Sequence, residues 1–111
     1  MEQQNDLNRA VIEVLNEYVQ LPTSSEITRH LMMNADKTEF WLLKMGWNQR
    51  TRIHATTAHI EIRNGLIWIH RDETEEGLAT ELEGRGILKS QIVLAFHNPI
   101  ARALTDYATG Q

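Results

Sequence analysis

The stretch His59-Ile60-Glu61-Ile62-Arg63-Asn64-Gly65-Leu66-Ile67-Trp68-Ile69-His70 decides the fold. Asn64-Gly65 separates two alternating runs. Both central positions of a type I′ turn need positive φ, which Asn and Gly tolerate. A two-residue loop fixes the pairing, so Arg63 opposes Leu66, Ile62 opposes Ile67, Glu61 opposes Trp68, Ile60 opposes Ile69 and His59 opposes His70. Side chains alternate along a strand. One face therefore carries Ala58, Ile60, Ile62, Ile67 and Ile69, and is expected to be the helix-covered core. The other carries Thr57, His59, Glu61, Arg63, Leu66, Trp68, His70 and, where pairing continues, Asp72.

Outward from this hairpin, Arg52–Arg63 and Leu66–His70 read as the third and fourth strands. Ile27–Met33 reads as the first. Phe40–Trp47 reads as the second, apolar on both faces except for Lys44, and therefore central or covered twice. Residues 5–20 carry a helical period in Leu7, Ala10, Val11, Val14, Leu15, Tyr18 and Val19, with Asn5 as N-cap. Pro22 ends that helix, because it disfavours a helical conformation at Leu21. After the hairpin, Asp72 and Glu75 form a capping-box pair before a helix with the stripe Leu78, Ala79 and Leu82, and Gly77 falls inside it. Ile92–Phe96 is short and apolar with a β-branched start. It is read as a strand, with a buried helix as the alternative. Asn98 caps a last helix with Pro99 at its first position and the stripe Ile100, Ala103, Leu104 and Tyr107. The order is α-β-β-β-β-α-β-α. It predicts an α+β fold with a single mostly antiparallel sheet, a right-handed crossover to the last strand, and helices packed mainly on one face.

The 111 residues suffice for one domain, 1–111. There is no Cys, which excludes a disulfide framework, a Cys nucleophile, a Cys-ligated zinc and an iron–sulfur cluster. No apolar run reaches the ~18 residues of a membrane span. No secretory signal is visible at the polar N-terminus, so the expected compartment is the cytoplasm. The net charge of −4 weighs against a domain that lives by phosphate contacts.

The polar hairpin face is the most informative patch. His59 and His70 beside a carboxylate could hold zinc or copper, or act as acid and base. No nucleophile or oxyanion arrangement is readable nearby. A Trp and an Arg on such a face suit an interface better. His59, Glu61, Arg63, Trp68 and His70 are therefore the candidate interface, with homo-oligomer formation or partner binding expected. No catalytic, cofactor or metal residue is assigned. Arg50, Arg52 and Arg63 form a candidate basic patch. Lys44–Arg71 holds five bases and one acid, while Asp72–Glu83 holds six acids and no base.

Two further segments carry a resemblance. Asn64-Gly65-Leu66-Ile67-Trp68-Ile69-His70-Arg71-Asp72-Glu73-Thr74-Glu75-Glu76-Gly77-Leu78-Ala79-Thr80-Glu81-Leu82 and Gly86-Ile87-Leu88-Lys89-Ser90-Gln91-Ile92-Val93-Leu94-Ala95-Phe96-His97-Asn98-Pro99 together resemble the XisI family, the fdxN element excision controlling factors. His70 stands where the family usually has Gln, so the resemblance implies no metal site there. Leu88 and Asn98 replace usual prolines, and Ser90-Gln91 replaces an acidic pair. The resemblance implies an accessory factor that acts with a nuclease-like XisH-type companion in programmed DNA excision, while a separate recombinase performs the strand chemistry. It brings no catalytic residues and no cofactor. Direct nucleic-acid binding is expected to be weak or absent. The competing readings are a small hydrolase using His59, His70 and Asp72, and a DNA-binding module using the basic segment.

Overall fold

Residues 2–110 are described by a computed structural model of the chain. Helix α1 spans Glu2–Gln20, and its stripe Leu7, Ala10, Val11, Val14 and Leu15 is buried. Asn5 thus lies inside the helix and is not its cap. Nothing in Glu2-Gln3-Gln4 opposes helix. Strands β1 (Ile27–Met33), β2 (Glu39–Asn48), β3 (Thr51–Arg63) and β4 (Leu66–Asp72) form an antiparallel meander. Helix α2 (Leu78–Glu83) follows, then a 3-10 turn at Lys89–Gln91. Strand β5 (Ile92–Leu94) pairs parallel with β4, and the short helix α3 (Pro99–Arg102) comes last. The sheet has five strands in the order β1-β2-β3-β4-β5. The fold is α+β, as the sequence order implies. The 92–96 run resolves as a strand shortened to 92–94.

One face of the sheet meets α1 and α2. Phe40, Leu42, Ala58, Ile60, Ile62, Ile67, Ile69 and Ile92 bury against the α1 stripe and Leu78, Ala79 and Leu82. The isoleucine face of the hairpin is therefore the core. Asn64 and Gly65 take φ of 56° and 74°, as the turn demands. The hairpin register holds from Arg63↔Leu66 to Ile60↔Ile69.

The register then shifts. His59 pairs with Arg71 rather than His70, and Ala58 pairs with Asp72. A second shift falls between Leu42 and Leu43 in the β2–β3 ladder, where Leu42 opposes Ala58 and Leu43 opposes Thr56. Each inserted residue exchanges the faces of everything beyond it. Asp72 is thereby carried to the core side of the sheet. Thr57 leaves the polar face as well. It donates to the Leu42 carbonyl at 3.2 Å and lines a groove with Tyr18, Arg29 and Lys44 on the helix side.

Two helix readings are corrected. Helix α2 begins at Leu78, with Gly77 before it at φ 89°, so Gly77 is the entry residue and not an interior one. Asp72 still satisfies one helix donor, that of Leu78, but across a loop. Its carboxylate accepts from the Thr74 N–H at 3.0 Å and from the Leu78 N–H at 2.7 Å. In α3, Asn98 caps as expected, accepting from the Ala101 N–H at 2.9 Å. Its apolar stripe does not bury, however. The helix has only four residues, and Ile100 and Leu104 stay 79% and 85% exposed. Tyr107 alone of that stripe packs against the core.

Both tyrosines anchor to helix α2. The Tyr18 hydroxyl donates to Glu81, and burial, followed by that bond, pushes its pKa up to about 12. Tyr107 donates to Glu83 at 2.6 Å, and that bond, followed by burial, also pushes it up to about 12. Both lie above the ordinary 10.0, so their contribution to stability is present below pH 10 and is lost as pH rises toward 12. A near-ultraviolet titration should show ionisation two units late, with denaturant stability falling across that same window. Ionisation of both rings near pH 10 without loss of stability would contradict these contacts.

Candidate functional site

The face opposite α1 and α2, the far face, has no helix layer among the described residues. Alternation places Met32 of β1 there, with Trp41, Leu43, Met45 and Trp47 of β2. Met32 is 51% exposed and Trp47 is 48% exposed. Strand β2 is thus central in the sheet but covered on one side only. From β3 and β4, His59, Glu61, Arg63, Trp68 and His70 share this face.

Its centre is a ladder of rings. Trp41 stacks on His59 with centroids 5.3 Å apart and planes at 14°, and His59 lies 4.9 Å from His70. Glutamates hold the rungs. His59 Nε2 lies 3.0 Å from a Glu39 carboxylate oxygen, and His70 Nε2 lies 2.9 Å from one of Glu61. The two histidines stay neighbours despite the register shift, because His70 is the inserted residue and keeps its phase with Trp68.

Trp68 has a different setting from its neighbours. It is 8% exposed, covered by the chain's own C-terminal segment, which the sequence reading held the less favoured outcome. The Arg63 guanidinium lies 4.1 Å from the ring centroid and that of Arg102 lies 5.8 Å from it. Gly110 passes so close that a Cβ there would come within 2.5 Å of the ring. Ala108 bridges to Val93 beside β5 and holds this segment in place.

The basic patch is brought together only in part, with Arg50 and Arg52 near each other and Arg63 apart. Arg50 lies in the β2–β3 turn, with Arg52 one residue into β3. Arg63 ends the same strand, about 35 Å away at ~3.3 Å per residue. Arg52 lies 5.4 Å from the Trp47 ring centroid, and Arg63 approaches Glu61 at 3.6 Å. His59, His70 and Asp72 are not brought together, since Asp72 faces the helices. Among the described residues, no group of three or more His, Asp or Glu is placed to hold a metal ion. No helix among them is long and apolar enough to cross a membrane. The sequence reading missed Trp41, Met32, Leu43, Met45 and Trp47. Extending the hairpin's alternation across β2 would have found them.

A small α+β domain with one helix-covered sheet face and one aromatic–histidine face left open is the class defined here. The chain belongs to the XisI protein family, whose model matches residues 1–109. It is similar to the crystal structure of a XisI-like protein from Anabaena variabilis ATCC 29413, with a TM-score of 0.84 and 25% identity over 92% of this chain and 94% of that one. It is also similar to fdxN element excision controlling factor XisI from Anabaena variabilis ATCC 29413, with a TM-score of 0.82 and 26% identity over 97% of this chain and 99% of that one. No curated protein matches the sequence.

Proposed function

We propose that this chain is a non-catalytic controlling factor in programmed excision of a DNA element, working in the cytoplasm by binding protein, with a nuclease-like XisH-type companion as its partner. Family membership and the relative that is an excision controlling factor support this reading. The observation that carries it is the far face. A sheet face of Trp41, Leu43, Met45 and Met32 beside a glutamate-held histidine ladder offers aromatic anchors within a polar rim, which is the anatomy of a protein contact. The companion is the expected occupant of that face.

Co-purification tests this. Tagged chain should retain the companion, and Trp41→Ala should weaken capture by about 2 kcal/mol, as a central aromatic anchor does. Equal capture by wild type and by Trp41→Ala would remove the far face from the account.

The chain alone should bind DNA only weakly. It carries a net charge of −4, and Arg63 lies at the opposite end of β3 from Arg50 and Arg52. A gel shift at ~150 mM salt should show nothing tighter than the micromolar range typical of non-specific contacts. Sub-micromolar binding would favour the DNA-binding alternative. The purified chain should also leave DNA intact in Mg²⁺. Cutting that disappears in Asp72→Ala would establish the hydrolase alternative.

A further inference from the structure

Strand β3 runs for 13 residues, but β4 pairs with only Ala58–Arg63 of it. The Glu73 N–H closes that side by donating to the Thr57 carbonyl at 2.8 Å, and Arg71 Nε donates to the Thr56 carbonyl at 2.8 Å. Over Thr51–Ala55, β3 has β2 on one side and no strand on the other among the described residues. The buried core also stops at Leu42 and Ala58, so the β2–β3 hairpin beyond them is an arm with an open edge. An open edge is a template for another strand.

The edge is self-complementary in shape. Where β3 becomes free, the end of β4 and the loop after it form a step. A two-fold axis normal to the sheet at Ile53 lays one free edge antiparallel to another. It also sets the tip of each arm against the step of the other copy. Charge then decides the occupant. The arm, Leu43–Thr57, carries Lys44, Arg50 and Arg52 and no acid, whereas at the step Arg71 is paired with Glu73 and leaves Glu75 and Glu76 as its net acidic charge. Arg50 and Arg52 lie at the tip. Glu75 and Glu76 form no ion pair among the described residues, and both are exposed. Antiparallel pairing brings this basic tip onto the partner's acidic loop twice over, as an isologous interface requires.

We propose that two copies of this chain pair antiparallel through the free edge of β3, each placing Arg50 and Arg52 on the Glu73–Glu76 loop of the other. This rests on neither the companion nor the far face, and it is read on the chain alone. Sedimentation of the full chain should give a dimer. Arg50→Glu/Arg52→Glu should weaken it at least about tenfold, because like charges then meet across the contact. Glu75→Lys/Glu76→Lys should do the same. All four positions are exposed, so thermal melts of both variants should match the monomeric fold. An equimolar mixture of the two double variants should dimerise again, since each arm then meets a loop of opposite sign. A wild type that stays monomeric at ~100 μM, far above the micromolar range of a specific contact, would overturn the proposal. So would variants that still dimerise alone, or a mixture that fails to.

Discussion

Trp68→Ala is expected to destabilise the fold by about 3–5 kcal/mol, the cost of emptying a buried aromatic site. The ring is 8% exposed and joins three parts of the chain. Its Nε1–H donates to the Arg63 carbonyl at 3.3 Å, its face meets two guanidinium groups, and its edge meets Gly110. Truncation removes a large surface on which the C-terminal segment rests, and amide protons at its end should then exchange faster. Urea melts of wild type and variant measure the loss, and hydrogen exchange at Ala108 reports the segment. A loss below about 1 kcal/mol, in the range of an exposed substitution, would show that the ring is not seated as described.

Gly46→Ala is expected to cost about 3 kcal/mol or more, combining φ strain with overpacking. Gly46 sits at φ 148°, and a Cβ there would lie 1.9 Å from the Glu26 carbonyl oxygen and 2.8 Å from the Ile27 Cα. Both obstacles are backbone. That same oxygen accepts from the Trp47 N–H at 3.1 Å, so relief requires β1 to part from β2 at its first residues. Gly65→Ala is the control. It has a positive φ of 74° but nothing within 4 Å, so it should cost only the local penalty of about 1–2 kcal/mol. Equal costs at the two positions would contradict the β1–β2 approach.

Much of this architecture is legible in the residues. Asn64-Gly65 fixes four hairpin pairs and therefore the core face, because turn chemistry and period-2 alternation agree there. Asn98-Pro99 marks α3 by the same kind of local rule. Register shifts have no such mark. Nothing in Thr57 or His70 announces an inserted residue, yet each insertion reverses the phase beyond it. This is why Asp72 turns from the histidines to the helices, and why Arg52 shares a face with Trp47. The acidic run Asp72–Glu76 misleads in a more instructive way. Asp72 does satisfy the Leu78 N–H, but from six residues away rather than from the cap position. The cover on Trp68 was illegible because it comes from residues after Tyr107, where the helical period has ended. Its decisive residue, Gly110, matters by having no side chain.

The two proposals use different surfaces. The far face is the proposed contact for a companion, and the β3 edge is the proposed contact for a second copy. They are separable by experiment, because sedimentation of the chain alone reads the edge and capture of the companion reads the far face.

Control of excision through protein contact is the role proposed for this chain. Excision of an fdxN-type element, reconstituted with recombinase and companion at fixed amounts, is the measurement for it. Omitting the chain should lower excision at least about tenfold, the loss of ~1.4 kcal/mol of coupling. Adding back wild type should restore it, and adding back Trp41→Ala should not. Excision proceeding equally with and without the chain would contradict the account.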